Sequence, residues 1–291
     1  MSQLQVTASD FRFSHTLRVR WVEVDMQKIV FNGHYLMYFD TAVAEYWRAL
    51  ALPYEETMHS LGGDLYVVKA TIEYKASARY DDRLRACLKL DRIGNSSLTF
   101  KGAIFCDGKL LVTGELIYVY ANPDTQTSLP VPLVLRDLFV AYEAGADMTR
   151  LEIGDWTTFG KAAMGLRLEV FVDEQGVPVE IEQDAQDEAA AHAVVFNRLG
   201  VPIATGRLFS SSSGMARIGR MAVKRVLRGT GLGDAVLKAL LDLALRRGDC
   251  GVRLHAQTSA QDFYVKFGFA PIGEVFIEAG IPHIEMGKTL A

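Results

Sequence analysis

Apolar and polar positions follow two different periods in the first half of the chain. Residues 15–24 alternate loosely around Leu17, Val19 and Trp21, which predicts a strand. Residues 35–50 are apolar almost all round, which predicts a helix that is buried in a core and stopped by Pro53.

Strand patterns follow this helix at 64–74, 84–90, 98–106 and 109–120, and Asp107-Gly108 predicts a tight hairpin. An antiparallel sheet around one long helix predicts an α+β arrangement. Helical spacing returns at 133–144, and residues 145–150 then show no periodicity. At 291 residues the chain is long enough for two domains, so we expect domains at 1–148 and 149–291.

The second half mixes strands and helices. Strand patterns lie at 190–196, 201–209, 216–223 and 251–255. The helix that starts near Asp234 has polar residues four apart, which predicts one narrow solvent-facing stripe. The acidic run 180–188 favours a solvated face over a polycation site.

Composition excludes several classes of function. The formal charge of −4 argues against a general nucleic-acid binder, and no apolar run is long enough to cross a membrane. Residues 1–5 lack the pattern of a signal peptide. The cysteines Cys87, Cys106 and Cys250 are scattered, which predicts a reducing compartment and no metal site. A cytoplasmic, soluble protein without metal, nucleic-acid or membrane partners is expected.

The stretch 219–233 is the strongest candidate for a ligand site. An apolar strand runs into a basic turn and then directly into an apolar helix. The turn holds alternating glycines and nearby basic residues: Gly229, Gly231, Gly233, Lys224, Arg225 and Arg228. Exposed backbone N–H groups at such a helix start bind anions, so the turn predicts a phosphate cradle. The alternative is a glycine-capped turn before a core helix.

Three glycine-loop patterns can be compared with this turn. A Walker loop fails because Asp234 follows Gly233, and a dinucleotide fingerprint fails because His255, not a carboxylate, ends the next strand. The pattern Arg-x-x-Gly-x-Gly fits Arg228, Gly231 and Gly233.

With that loop, three further segments make residues 153–291 resemble a bacterial subgroup of GNAT-type N-acetyltransferases. The segments are Glu169-Val170-Phe171-Val172-Asp173-Glu174-Gln175, Phe263-Tyr264-Val265-Lys266-Phe267-Gly268-Phe269 and Gly280-Ile281-Pro282-His283-Ile284. The resemblance implies an α/β domain with a mixed sheet that binds acetyl-CoA. The implied cofactor residues are Met221, Ala222, Val223, Arg228, Gly229, Thr230, Gly231, Leu232 and Gly233.

In this resemblance Tyr264 is the general acid for the departing thiolate, whereas the alternative role is a core aromatic. The acceptor side is less defined. Glu174, Glu278 and His283 could meet an amine, but each could equally be an exposed or capping residue.

Residues 10–145 resemble the hotdog-fold acyl-CoA thioesterases of the 4-hydroxybenzoyl-CoA type. The matching residues are Val24-Asp25, Ile29-Val30-Phe31, His34-Tyr35-Leu36 and Ala121-Asn122-Pro123. The resemblance implies Asp25 as nucleophile or as base on water, and an oxyanion site near the N–H groups of Gly33 and His34. The alternative makes Asp25 a turn or cap residue. Close relatives in this family often have a histidine at the position of Asn32 and an asparagine at the position of His34. This chain has the two residue types exchanged, so the resemblance does not identify the substrate.

These patterns predict a bifunctional enzyme that hydrolyses an acyl-CoA and acetylates an amine. A homo-oligomer, a dimer or tetramer formed through the hotdog domain, is expected. The alternative is that only the acetyltransferase is active and the hotdog domain binds acyl-CoA or drives oligomerisation. The two domains could also act on successive intermediates.

Overall fold

The computed structural model describes residues 6–210 and 214–290, and the chain divides into two compact units, Met1–Met148 and Thr149–Ala291. Residues 1–5, on which the expectation about a signal peptide rested, lie outside the described residues. The mixed α+β architecture predicted from the sequence is confirmed.

The first unit is an antiparallel sheet with one long helix packed on it. Its five strands are ordered β1-β3-β4-β5-β2. They are β1 (Phe13–Arg18), β2 (Asp64–Tyr74), β3 (Arg83–Ile93), β4 (Ser97–Cys106) and β5 (Lys109–Ala121). The helices are α1 (His34–Ala49), α2 (Tyr54–Leu61) and α3 (Leu133–Glu143).

Helix α1 lies close to the sheet because two glycines make room for an aromatic ring. A Cβ added at Gly102 or Gly114 would lie 2.4 Å or 2.7 Å from ring atoms of Phe39, closer than side chains tolerate. Tyr46 and Trp47, both about two helical turns further on, are also buried. The core is therefore largely aromatic, with edge-to-face ring contacts that favour one packing arrangement.

Three expectations about this unit are wrong in detail. The strand expected over 15–24 ends at Arg18, and a 3-10 turn, Trp21–Glu23, follows it. Helix α1 is not buried all round, because Leu36 and Met37 are 41% and 52% exposed. Pro53 does not itself stop this helix: α1 ends at Ala49, and Pro53 instead caps the unexpected helix α2.

The second unit is a seven-stranded mixed sheet ordered β11-β12-β10-β9-β8-β7-β6. Its strands are β6 (Thr149–Gly154), β7 (Ala191–Asn197), β8 (Pro202–Ser210), β9 (Met215–Val223), β10 (Gly251–Gln257), β11 (Ala270–Glu278) and β12 (Ile281–Thr289). Its helices are α4 (Trp156–Arg167), α5 (Val179–Glu182), α6 (Leu232–Arg247) and α7 (Gln261–Val265), and α4 continues into a π-helical segment, Leu168–Glu174.

Strands β9 and β10 are parallel neighbours that pair over only part of their length. Three residue pairs join them, from Gly251–Met215 to Arg253–Arg217, although β9 continues to Val223 and β10 to Gln257. A bulge against β8 lies in the unpaired part of β9, where Arg220 has φ +53. The strands thus diverge and leave part of the β9 backbone without a β10 partner, beside a space between them.

Candidate functional sites

Asp25 begins a tight turn in the first unit. Its backbone N–H donates to Ile29 O at 2.9 Å, and an isolated bridge between Val24 and Val30 closes the base of the turn. Its carboxylate accepts a hydrogen bond from Gln27 N–H at 2.8 Å. The carboxylate is half-buried and directly precedes the approach to α1. This geometry fits either role expected of Asp25, as a turn residue or as a reactive carboxylate.

A second carboxylate, that of Glu23, anchors the chain just before this turn, although the sequence analysis did not identify it. Glu23 is 2% exposed and accepts hydrogen bonds from the Arg20 side chain at 2.8 Å and from Tyr38 Oη at 2.8 Å. Burial alone would raise the pKa of Glu23, but hydrogen bonds from Arg20 and Tyr38 bring it below its ordinary value. Glu23 O also accepts Phe31 N–H, which ties the two ends of the turn segment together.

The start of α1 offers fewer free N–H groups than expected. His34 N–H donates to Phe31 O at 2.9 Å, and the His34 Nδ1 lies 3.2 Å from Met37 Sδ. Gly33 is the N-cap residue, where backbone N–H groups have no acceptor within the helix. Asn32 O accepts the Tyr74 hydroxyl at 3.0 Å, which links this segment to β2.

Large apolar side chains are exposed at two places in the first unit. Phe31, Leu36 and Met37 are exposed just before and at the start of α1, and Val67 and Val68 are exposed on the edge strand β2. Such residues on an unpaired strand edge and at a helix start are available for contact with a second surface.

In the second unit, the glycine loop runs from β9 into α6. Met221, Ala222 and Val223 are the last residues of β9. Gly229 and Gly231 have φ values of +82 and +87, a left-handed conformation that disfavours any other residue. Gly231 is the N-cap of α6, so the first N–H groups of that helix, beginning with Leu232 and Gly233, point out of the helix end.

Two other loop residues are engaged within the protein. Thr230 Oγ1 donates to Leu227 O at 2.7 Å. The Arg228 guanidinium binds both carboxylate oxygens of Glu174 at 2.6 Å, and this hydrogen bonding lowers the pKa of Glu174. Glu174, expected near an acceptor amine, therefore faces the glycine loop, and Arg228 joins this loop to the end of the π-helical segment.

A cavity of about 910 Å³ opens where β9 and β10 diverge. It brings together four of the expected residues, Met221, Tyr264, Glu278 and His283. Glu174 and the loop residues 228–233, which were also expected at the site, are not among the described residues that line this cavity. Tyr264 is 8% exposed, and burial raises its pKa to about 12. The cavity walls also include His255 and Gln257, which the sequence did not single out.

The expectation that the acidic run 180–188 forms a solvated face is wrong for two of its members. Glu182 and Asp187 are each 1% exposed, and both bind Arg167, which is equally buried, at 2.6 and 2.7 Å. Arg207 joins Asp187 at 2.6 Å. Burial would raise the pKa of Asp187, but hydrogen bonds from these two arginines lower it below its ordinary value. The ion cluster persists because each buried charge has an opposite partner.

This cluster reaches one wall of the cavity. Asp184 lines the cavity and binds the Arg207 guanidinium through both carboxylate oxygens at 2.7 Å. Arg220, the residue of the β9 bulge, also contacts Asp184, at 3.2 Å. The bulge and the cavity wall are thus fixed by the same charged groups.

Comparison with known families assigns each unit. Residues 148–290 match the acetyltransferase (GNAT) domain, and residues 27–113 match the thioesterase superfamily. An uncharacterized N-acetyltransferase of Bacillus subtilis, YjcF, is 39% identical over 129 residues, which are 44% of this chain and 91% of that protein. A putative esterase of Aquifex aeolicus is 32% identical over 93 residues, 32% of this chain and 72% of that protein. The chain therefore belongs to the GNAT acetyltransferase family through its second unit and to the thioesterase superfamily through its first.

The crystal structure of a putative N-acetyltransferase from Lactobacillus plantarum is 29% identical in sequence to the aligned part of this chain, with a TM-score of 0.47. The alignment spans 50% of this chain and the whole of the Lactobacillus plantarum chain. The GNAT and CoA thioesterase families use acetyl-CoA or CoA thioesters. No helix among residues 6–210 and 214–290 is long and apolar enough to span a bilayer.

Proposed function

We propose that the second unit transfers the acetyl group of acetyl-CoA to an amine. The observation that carries this proposal is that three features occur together in this unit. Strands β9 and β10 diverge, the N-terminus of α6 follows two left-handed glycines, and the buried Tyr264 lines the cavity between the diverging strands. The N–H groups at the helix start suit a diphosphate, and the unpaired edge of β9 at Met221–Val223 suits an extended amide-containing arm.

Tyr264 has the properties of a proton donor to the departing sulfur. Its pKa of about 12 keeps the hydroxyl protonated through the neutral range. The attacking amine forms a bond to the thioester carbon, the carbon–sulfur bond then breaks, and the Tyr264 hydroxyl supplies a proton to the thiolate. Because a buried tyrosinate is costly, the return of a proton from solvent to Tyr264 is favourable.

For the first unit, we propose hydrolysis of an acyl-CoA with Asp25 as nucleophile or as base on water. Asp25 directly precedes the segment that leads into α1, whose positive end favours an anion nearby. Gly33 N–H is the available donor for a developing oxyanion, since His34 N–H is engaged by Phe31 O.

A homodimer through the first unit fits this hypothesis. Strand β2 is an 11-residue edge strand on which Val67 and Val68 are exposed. Leu36 and Met37 are exposed in the first turn of α1, and Phe31 is exposed just before that helix. A second copy that pairs along β2 would cover an edge otherwise prone to aggregation and would enclose the Asp25 turn.

The second candidate function is acetyl transfer alone, with a first unit that binds acyl-CoA or only drives oligomerisation. The engagement of His34 N–H by Phe31 O favours it, because one of the two expected oxyanion donors is already used.

Two reciprocal variants test both functions in the full-length protein. Asp25→Ala should abolish free-thiol release from an acyl-CoA panel while acetyl transfer continues, with Asp124→Ala, at an exposed aspartate of the same unit, as the control. Tyr264→Phe should lower acetyl transfer about 100-fold at saturating acetyl-CoA with little change in cofactor affinity. Tyr80→Phe, at an exposed tyrosine, is its control. Unchanged hydrolysis in Asp25→Ala would contradict the first assignment, and unchanged turnover in Tyr264→Phe the second.

A further inference from the structure

The outer strands of the second sheet present a row of polar side chains on one face. In β10, buried Val252, Leu254 and Ala256 alternate with Arg253, His255 and Gln257. Residues of one strand that are two apart share a face, so the last three lie on the face opposite the buried residues.

Strand β12 continues this polar row. His283 is paired with Gln257, and Glu285 is paired with His255. Phe276 and Glu278 of β11 lie on the same face, because Phe276 is paired with His283. His255, Gln257, Glu278 and His283 all line the cavity that Tyr264 also lines. The cavity therefore has one buried hydroxyl and two imidazoles on its walls.

The two histidines differ in how their ring nitrogens are engaged. His255 Nδ1 lies 3.0 Å from Glu278 Oε2, and its Nε2 lies 3.5 Å from the Arg217 Nη1. Both nitrogens of His255 therefore already face a charged side chain, and the Arg217 guanidinium occupies the position beside Nε2.

Among the residues that the structure describes, His283 has a fixed partner at one ring nitrogen. Its Nδ1 lies 2.8 Å from Ile281 O, and a carbonyl oxygen can only accept, so Nδ1 carries the hydrogen. The lone pair consequently lies on Nε2. The ring also stacks on Phe276, with centroids 6.1 Å apart and planes 27° apart, which restricts its rotation.

We propose that His283 Nε2 is the proton acceptor for the attacking amine, an inference that rests on the acetyl transfer proposed above. As the nitrogen–carbon bond forms, the amine nitrogen becomes positive and releases one proton to Nε2. The carbon–sulfur bond then breaks, and Tyr264 protonates the sulfur. The products are the acetylated amine and free CoA, and solvent takes the proton from His283 and returns one to Tyr264.

The charged side chains on the strands around His283 are Glu278 on β11, Glu285 on β12 and Arg217 on β9. His255 on β10 is the other titratable neighbour. Arg217 is bound to Glu285 at 3.0 Å, and its Nη1 lies 3.5 Å from His255 Nε2, so this cation is placed beside the other imidazole.

The test compares His283→Gln with His255→Gln in the full-length protein, with the best amine from a panel as acceptor. For His283→Gln we expect kcat to fall by about 100-fold or more, with unchanged acetyl-CoA affinity by calorimetry. The acidic limb of the kcat/KM profile against pH should disappear, and added imidazole should restore part of the rate. His255→Gln should keep the acidic limb and lose less activity.

The outcomes separate the two levels of the argument. Wild-type protein that releases no CoA with any amine would overturn the acetyl transfer itself and this inference with it. Active wild-type protein with an unaltered acidic limb in His283→Gln would overturn the inference alone. A larger loss and a vanished limb in His255→Gln would overturn it as well, by assigning the proton to the other imidazole. Thermal unfolding of both variants reports any change in folding.

Discussion

The two candidate sites differ in how much of their enclosure one chain provides. Asp25 lies on a surface turn next to exposed apolar residues, whereas Tyr264 is 8% exposed in a cavity of about 910 Å³. Both rest on buried ionic groups, one carboxylate in the first unit and a cluster of arginines and acids in the second. A cavity within one domain can be functional in a monomer, but an open turn needs a further surface to hold the acyl group of the substrate in place.

The largest expected effect concerns the ionic support of the second site. Arg167→Met leaves Glu182 and Asp187 buried without their main partner, so we expect unit 2 to lose about 3–5 kcal/mol of stability. Urea denaturation followed by hydrogen exchange should show earlier opening of β7 and β8, while protection of β3 and β4 stays as in the wild type.

The matched control is Arg18→Met, which removes the same charge from an exposed pair. Arg18 and Asp81 are 52% and 58% exposed, so this change should cost less than about 1 kcal/mol. Equal losses from the two variants would show that the buried cluster adds nothing beyond an ordinary surface ion pair. Arg167→Lys, which keeps the charge, should fall between them because it cannot reproduce the forked contacts.

The next prediction tests whether the first site needs a second copy of the chain. Val68 is 59% exposed on the edge strand β2, and a lysine there should prevent pairing along this edge. We expect Val68→Lys to weaken the dimer by about 2 kcal/mol and to lower acyl-CoA hydrolysis on dilution, with acetyl transfer unchanged. Light scattering and thiol release measured over a range of protein concentrations provide the check.

Val140→Lys is the control, since Val140 is 61% exposed in the same unit but on α3. It should affect neither assembly nor hydrolysis. Full hydrolysis by a monomeric wild-type protein would remove the difference between the two sites, because both would then function within one chain.

Regular periodicity made much of the fold predictable. The alternation in β3 and the four-residue spacing on α6 identified these elements, because each has one buried and one exposed face. Strand β11 has no such contrast, since nearly all its residues are exposed, and it could be recognised only through its neighbours. The exposed residues of α1 were missed because Leu36 and Met37 are apolar but solvent-exposed, so the apolar pattern predicted that they would be buried.

The sites were predictable only where residues adjacent in sequence act together. The glycine loop is one continuous segment, so its left-handed glycines and helix start could be anticipated. The ion pairs of Arg167 join residues 15 and 20 positions away, and sequence alone cannot show which charges meet in the interior. His255 was detectable in principle, because the alternation of β10 places it on the polar face of the strand together with Arg253 and Gln257.

The smallest effect concerns Glu23, the ionic support of the first site. Its pKa is lowered in the folded protein, so its contribution to stability is present above the ordinary carboxyl value of about 4.5 and is lost as pH falls through the lowered value. Glu23→Gln should therefore cost about 1–3 kcal/mol near pH 7, and the gap to the wild type should close under acid conditions. Denaturant unfolding between pH 3 and pH 7 measures this gap, with Glu115→Gln, in an exposed pair with Lys69, as the control. Because Glu23 also anchors the chain next to the Asp25 turn, the Glu23→Gln variant should lower hydrolysis but not acetyl transfer. A difference in unfolding free energy between the variant and the wild type that stayed constant with pH would show that Glu23 acts only through packing.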